Sequence, residues 1–167
     1  MDTEKKYILD EAAAAVKMER MAYEIAEELG STDETIILAG VRDNGLVMAH
    51  TLARLIEKIA GIRSEIIDIS LDKRQPGEVL VSPAIDVNNR VIIVVDDVVN
   101  SGKTSLYALK PFLDSRPRQI QLLTLIERTH KTFPVKADYV GISLATTLQE
   151  HIYVEVSGDR VTGAYMI

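Results

Sequence analysis

Two adjacent carboxylates and a loop of small polar residues lie close together in the second half of the chain. Asp96 and Asp97 follow an aliphatic run at residues 91–95, and residues 100–104 read Asn-Ser-Gly-Lys-Thr. A small-residue loop that opens a helix presents free backbone N–H groups, which together with the helix dipole favour a bound phosphate. Carboxylates repel phosphate, but they accept hydrogen bonds from sugar hydroxyls and bind Mg²⁺. The pattern therefore predicts a sugar-phosphate site.

Three other interpretations of the acidic pair compete with this one. Aspartate is favoured at helix N-caps, so the pair alone leaves a capping role open. A P-loop would need a glycine five residues before Gly102, where this chain has Asp97, whose charge would repel a triphosphate. In a receiver-like signalling domain the paired aspartates follow the first strand, whereas here more than half of the chain precedes Asp96. The P-loop is excluded and the receiver is disfavoured.

The distribution of apolar residues indicates which elements position these side chains. The uninterrupted aliphatic run at 91–95 is typical of a strand that is buried on both faces. Further strands are predicted at 35–41, 63–71, 78–82 and 119–126, and helices at 8–29, 46–60 and 104–113, with Asp10 as the first N-cap and Gly30 as the stop. Strands that alternate with helices predict an α/β fold with a mainly parallel sheet. In such sheets ligands bind beyond the carboxyl ends of the strands.

Two other segments carry charges that could reach the same site. Residues 40–45 (Gly-Val-Arg-Asp-Asn-Gly) connect a strand to a helix and form either a second anion site or an ordinary turn. The turn at residues 72–77 contains Lys73 and Arg74, which are either solvated or directed at an anion. His130 follows a predicted strand and could act as a base, although a lone loop histidine is more often a bystander. Residues 152–156 and 160–166 predict a hairpin.

Composition limits the class of protein. A chain of 167 residues with 47% hydrophobic residues predicts a single domain spanning residues 1–167. The absence of cysteine excludes a disulfide framework and thiolate chemistry. A charged N-terminus and the lack of a long apolar run predict a cytoplasmic protein with no membrane contact. The net charge of −6 argues against strong nucleic-acid binding.

The segment from Asp96 to Thr104 resembles the ribose-phosphate signature of type I phosphoribosyltransferases, which use phosphoribosyl pyrophosphate (PRPP). Residues 8–11, 40–45, 66–71 and 127–141 are similar to those of the pyrimidine operon regulators within that family, which are uracil phosphoribosyltransferases and RNA-binding attenuators. The resemblance implies the type I phosphoribosyltransferase fold, with a mainly parallel sheet flanked by helices and a small hood. It also implies Mg²⁺ as cofactor, PRPP and uracil as substrates, and a homo-oligomer.

The same resemblance assigns roles to individual residues. Asp96 and Asp97 would be the catalytic pair, holding the ribose hydroxyls directly or through Mg²⁺. A segment at 128–141 would contribute to the hood over the nucleobase. The 5-phosphate would be held by Val99, Asn100, Ser101, Gly102, Lys103 and Thr104, the pyrophosphate by Val41, Arg42, Lys73 and Arg74, and the base by Arg128 and His130.

Several positions depart from the pattern of these regulators. The family usually has Tyr-Thr-Gly-Arg-Thr at residues 100–104, and a threonine and an arginine where this chain has Asp43 and Asn44. The turn at 72–77 is shorter than the long mobile loop that closes over the reacting centre in the family. Asn100 stands where 6-oxopurine transferases usually carry an aspartate, which favours a pyrimidine. The departures keep a second function open, a non-catalytic PRPP- or nucleotide-binding regulator of pyrimidine metabolism, with or without RNA binding.

Overall fold

A computed structural model describes residues 4–167, which form two sheets and three α-helices. In chain order the elements are β1 (Lys6–Asp10), α1 (Glu11–Leu29), β2 (Ile36–Val41), α2 (Asn44–Ala60), β3 (Ser64–Ser70), β4 (Leu80–Ser82), β5 (Val91–Val99), α3 (Lys103–Ala108), a 3₁₀ helix (Lys110–Phe112), β6 (Gln119–Arg128), β7 (Tyr139–Leu144), β8 (Ile152–Ser157) and β9 (Arg160–Met166). Within this range no helix is both long and apolar enough to cross a membrane.

The central sheet has six strands in the order β4-β3-β2-β5-β6-β7. Every pair is parallel except β3 and β4, which are antiparallel. All six residues of β2 are buried, as expected for a parallel strand covered on both faces. Alternate residues face opposite layers: Leu38 and Ile93 pack with α1 and α2, whereas Ile37 and Ile92 pack with α3 and the 3₁₀ helix. The predicted α/β fold with a mainly parallel sheet is confirmed.

A smaller antiparallel sheet, which we call the hood sheet, consists of β1, β9 and β8 in that order. The predicted C-terminal hairpin forms its β8 and β9 strands. Its inner face carries buried apolar side chains that join the layer of α1 and α2, namely Leu9, Ile152, Val154 and Ala164. Its outer face carries a row of tyrosines, in which the ring centroids of Tyr153 and Tyr165 are 5.4 Å apart and those of Tyr7 and Tyr165 are 5.8 Å apart.

The N-terminal helix differs from the prediction at its start. Asp10 is the N-cap as expected, with its carboxylate accepting a hydrogen bond from the backbone N of Ala13 at 2.7 Å, and Gly30 ends the helix. The helix begins at Glu11, however, and not at Ile8. Residues 8–10 are extended because they belong to β1, where Asp10 pairs with Gly163 of β9.

Two further boundaries were predicted incorrectly. β5 continues to Val99 because it keeps pairing with β6 beyond residue 95, with Asp96 opposite Thr124 and Val99 opposite Glu127. The acidic pair therefore lies within the last part of the strand and not after it. The predicted helix at 104–113 is divided into α3 and the 3₁₀ helix, since Pro111 has no N–H to continue an α-helix.

Candidate active site

The N-terminus of α2 lies directly against the end of β5. A Cβ atom on Gly45 would lie 2.3 Å from the carbonyl oxygen of Val95, and one on Gly40 would lie 2.5 Å from the Cα of Leu46. Both distances exclude any side chain, so glycine at these positions permits the close approach. The first turn of a 17-residue helix, with its unpaired N–H groups, is thereby brought beside the acidic pair.

The acidic pair is buried at the carboxyl end of the central strand. Asp96 is 1% exposed and Asp97 is 9% exposed. The carboxylate of Asp96 accepts a hydrogen bond from the backbone N of Asp97, and Oδ1 of Asp97 accepts one from the backbone N of Val98, both at 2.9 Å. Burial raises the pKa of Asp96 well above its ordinary value, and the neighbouring charge of Asp97 raises it further. Two such carboxylates favour a cation or a hydroxyl-bearing ligand nearby.

Lys73 supplies positive charge to this site. Its Nζ atom lies 3.8 Å from Oδ1 of Asp96 and 4.0 Å from Oδ1 of Asp97. The connection from β3 to β4 at residues 71–79 is short, and it places this side chain over the sheet edge. Of the residues that the structure describes, Lys73 is the only lysine or arginine that lines the cavity around the acidic pair.

The small-residue loop is held by the segment that follows β6. The carbonyl oxygen of Ser101 accepts hydrogen bonds from the backbone N atoms of Thr132 and Phe133 at 3.1 and 3.0 Å. Gly102 has φ +86°, and a Cβ there would lie 2.6 Å from Cγ2 of Val135. A left-handed backbone and a close neighbour therefore both favour glycine. Asn100 Oδ1 is buried and accepts no hydrogen bond from any residue in the range 4–167.

The acidic pair, Lys73 and the small-residue loop line one cavity of about 320 Å³. The other lining residues are Asn44 from α2, Val98, Val99, Ser105, and residues 152–154 from β8. The hood sheet thus forms one wall, and the ends of the central strands form another. The cavity can accommodate a ligand that has an anionic group at the loop, hydroxyls at the carboxylates and an apolar ring against Ile152 and Val154.

Asn44 and residues 152–154 were not predicted as site residues. Asn44 belongs to the segment 40–45, which the sequence did identify as a possible anion site. Its polar side chain at the start of a predicted helix could have marked it as a site residue. No local signal marks β8, because its contact with the cavity depends on how the hairpin docks against the central sheet.

Several predicted site residues do not line the cavity. The guanidinium of Arg42 binds the carboxylate of Asp68, with Nε 2.8 Å from Oδ2, and this contact raises the pKa of Arg42. Val41 is a buried core residue, and the side chain of Arg74 is exposed. The backbone N of Lys103 donates to Oγ of Ser101 within the small-residue loop, and Lys103 is not among the residues that line the cavity. Their roles stay predictions.

The two predicted base-binding residues also lie outside the cavity. Arg128 donates to Oγ1 of Thr146 and to the carbonyl oxygen of Thr147, both at 2.7 Å, and so holds the loop between β7 and β8. His130 is exposed after the end of β6. The geometry gives Arg128 a position that supports the loop between β7 and β8, and contact with a base stays a prediction for both.

The donor set of the acidic pair suits a hard divalent cation in part. Carboxylate oxygens are ligands that Mg²⁺ prefers, and the ammonium of Lys73 already lies within 4.0 Å of both carboxylates. In the described part of the chain, no group of three or more His, Cys, Asp or Glu side chains could hold a metal ion. Mg²⁺ at this site would therefore need oxygen ligands from water or from a bound substrate.

A sequence model of the phosphoribosyl transferase domain matches residues 5–157. The chain belongs to the phosphoribosyltransferase family. The match includes β1, the acidic pair, the small-residue loop and β8, so it covers every wall of the cavity. The family resemblance that residues 96–104 suggested is confirmed.

Several relatives within this family carry the name bifunctional protein PyrR, and two of them show the extent of the similarity. The protein of Clostridium kluyveri is 37% identical over 162 residues, which cover 92% of this chain and 91% of the relative. The protein of Clostridioides difficile is 34% identical over 173 residues, with 95% and 97% covered.

Solved phosphoribosyltransferase structures share the fold. A hypoxanthine-guanine phosphoribosyltransferase from Bacillus anthracis superposes with a TM-score of 0.70 at 22% identity and covers 84% of this chain and 83% of its own. The hypoxanthine phosphoribosyltransferase of Trypanosoma cruzi gives a TM-score of 0.73 at 17% identity, with 83% and 81% covered. The expected type I phosphoribosyltransferase fold is thereby confirmed.

Proposed function

We propose that the chain transfers ribose 5-phosphate from PRPP to a nucleobase, uracil, with release of pyrophosphate and with Mg²⁺ as cofactor. The observation that carries this proposal is the single cavity in which a buried carboxylate pair, a small-residue loop and an apolar wall meet. Membership of the phosphoribosyltransferase family supports the reaction class.

The cavity suggests a role for each of its walls. Residues 99–104 would hold the 5-phosphate through backbone N–H groups and hydroxyls. Asp96 and Asp97 would accept hydrogen bonds from the ribose hydroxyls and stabilise positive charge that develops on the ribosyl carbon. Mg²⁺, when bound, would neutralise pyrophosphate as it leaves. The base would lie against residues 152–154, and fixed positions for both reactants would supply much of the rate.

Lys73 is the residue that we assign to the pyrophosphate. It is the cation already inside the cavity, and its side chain is 47% exposed, so it can move from the carboxylates to an incoming anion. Uracil as the acceptor is supported by the resemblance to the pyrimidine operon regulators and by Asn100, which replaces the aspartate usual in 6-oxopurine transferases.

A second candidate function is a non-catalytic sensor that binds PRPP or a nucleotide and regulates a partner. Two observations favour it: the β3–β4 connection is too short to form a long lid, and Arg42 is engaged by Asp68. Its RNA-binding form would need a basic face, whereas the exposed side of α1 carries Glu19 and Glu27 and the net charge is −6. We also propose a homo-oligomer, which light scattering on the purified chain would test.

Calorimetric titration with PRPP and Mg²⁺ tests the binding step, and pyrophosphate release with uracil, hypoxanthine, guanine and orotate tests turnover. Asp97→Asn removes one charge from the acidic pair and is expected to abolish both signals. Asp33→Asn is the matched control, because Asp33 is exposed and does not line the cavity.

The outcomes separate the two candidates. Binding with turnover on uracil supports the transferase, and turnover on another base would replace uracil with that base. Binding of PRPP with no turnover on any base would favour the sensor. No binding, or a fully active Asp97→Asn protein, would contradict the assignment of the acidic pair.

A further inference from the structure

Asn44 contacts two walls of the cavity at once. Its side-chain amide donates one hydrogen bond to Oδ2 of Asp97 at 2.8 Å and another to the backbone carbonyl oxygen of Val154 at 2.9 Å. An asparagine amide has two hydrogens, and both are used here. The residue therefore joins a carboxylate of the central sheet to the β8 strand of the hood sheet.

The position of Asn44 is itself fixed by its neighbour. Gly45 lies against the backbone of Val95 and Asp96 so closely that any side chain would overlap the Val95 carbonyl. The start of α2 consequently cannot shift relative to β5 without breaking this packing. The amide of Asn44 thus reaches Asp97 and Val154 from a rigid base, which is the condition for a side chain that holds a precise distance.

The carboxylate of Asp97 is fixed by this contact in turn. Its Oδ1 accepts the backbone N–H of Val98 while its Oδ2 accepts the amide of Asn44, so each oxygen is held by a donor. Because the same amide also bonds Val154, the distance between the Asp97 carboxylate and the β8 strand is fixed. In the proposed binding mode a nucleoside would span this same separation, with its ribose at the carboxylates and its base at β8.

We propose that Asn44 is a positioning residue that sets the distance between the ribose-binding carboxylate and the base-lining strand. This inference rests on the proposed function and adds to it a determinant of how the base is presented to the ribose. An arginine, usual at this position in the regulators that the chain resembles, would bring a positive charge to the acidic pair. Asn44 is neutral and leaves Lys73 as the cation that lines the cavity.

Two ligand classes distinguish positioning from other roles. A nucleoside 5′-monophosphate spans the carboxylates and β8, whereas PRPP contacts the carboxylates and the phosphate sites but has no base. Calorimetry on the full chain would measure the affinities of PRPP with Mg²⁺ and of the uridine and inosine monophosphates. For Asn44→Ala we expect the monophosphate that binds wild type most tightly to lose about two- to tenfold in affinity, because the loosened Asp97 carboxylate and β8 strand would have to be ordered again on binding. PRPP should lose much less, so the ratio of the two affinities changes.

Thr51→Ala is the matched control on the same helix. Oγ1 of Thr51 donates to the carbonyl oxygen of Asp159 at 3.3 Å, in the turn between β8 and β9, but Thr51 contacts neither carboxylate and does not line the cavity. We expect this variant to leave the affinity ratio unchanged. Asn44→Asp keeps the side-chain volume and places a carboxylate against two acceptors, so its effect on the ratio should exceed that of alanine. Circular dichroism and thermal unfolding confirm that each variant is folded.

The possible failures are distinct. Equal loss of both ligands, or a ratio that matches Thr51→Ala, would overturn the positioning role. A larger loss for PRPP than for the monophosphate would make Asn44 a pyrophosphate ligand. Wild-type protein that bound PRPP but no monophosphate would overturn this inference alone, whereas wild type that bound neither would overturn the proposed function together with it.

Discussion

The ammonium of Lys73 lies 3.8 Å from a carboxylate oxygen of Asp96, in a cavity that has no other lysine or arginine in its walls over residues 4–167. Lys73 is an exposed residue of the short connection between β3 and β4, whereas the carboxylate of Asp96 is almost fully buried. Since an unpaired buried charge is costly, the contact partly compensates the acidic pair before any ligand arrives. The same ammonium is available to an anionic ligand.

Lys73→Ala is expected to weaken the binding of PRPP with Mg²⁺ by about ten- to hundred-fold, because one charge-assisted contact is lost. Calorimetric titration with PRPP and Mg²⁺ measures this affinity. Lys58→Ala is the matched control, since its side chain is exposed and does not line the cavity. An equal loss for Lys58→Ala would contradict the assignment of Lys73 to the pyrophosphate.

Asp68→Asn is expected to strengthen PRPP binding by about two- to tenfold, because it releases the guanidinium of Arg42 for the pyrophosphate. The matched control is Glu65→Gln on the same strand, which breaks the ion pair with Arg90 away from the cavity. Calorimetric titration with PRPP and Mg²⁺ measures the affinity of both variants. Unchanged or weaker binding for Asp68→Asn would contradict a pyrophosphate role for Arg42.

Asp96→Asn is expected to stabilise the protein at neutral pH while weakening ligand binding. The raised pKa means that the folded chain holds this proton more tightly than the unfolded chain, so stability falls as pH rises from about 3.8 through the folded value. Asparagine does not titrate, so the unfolding midpoint of Asp96→Asn should be higher than that of wild type at pH 7, and this difference should vanish below about pH 3.8.

Thermal unfolding across this pH range, with exposed Asp114→Asn as the control, measures the effect of Asp96→Asn. A lower midpoint at pH 7 would show that the contacts of the ionised carboxylate outweigh its burial. Loss of PRPP affinity in a more stable protein would be a trade-off between stability and function.

Gly102→Ala is expected to cost about 2–4 kcal/mol of stability, from a left-handed backbone and an overlap with Val135. Denaturant unfolding measures this cost. The variant should also bind PRPP more weakly, because the small-residue loop is distorted. Gly77→Ala is the control, because no atom lies within 4 Å of its added Cβ. Adding Val135→Ala to Gly102→Ala should recover the overlap part of the cost only. Full recovery would mean that backbone conformation contributes nothing.

Local signals made much of the fold predictable. Asp10 and Gly30 mark the ends of α1 through backbone capping, and the aliphatic run at 91–95 marks a strand buried on both faces. The acidic pair and the small-residue loop were predicted to share a site because both follow the aliphatic run at 91–95, and they line one cavity.

The parts that were missed depend on contacts between distant segments. β1 was assigned to a helix because the partner that makes it extended, β9, lies at the other end of the chain. The amide of Asn44 and the wall at residues 152–154 meet only after the hood sheet docks. The exclusion of Arg42 from the cavity depends on Asp68, which no spacing rule connects to it.

The strand order of the hood sheet has a consequence for biosynthesis. β9 follows every other strand within residues 4–167, yet it lies between β1 and β8. Every strand of the central sheet precedes β9. During synthesis from the N-terminus, the central sheet can therefore form before β1 can pair with β9. The hood-sheet wall of the cavity is therefore completed last. A nascent chain on the ribosome would contain the acidic pair and the small-residue loop before this wall of the cavity had formed.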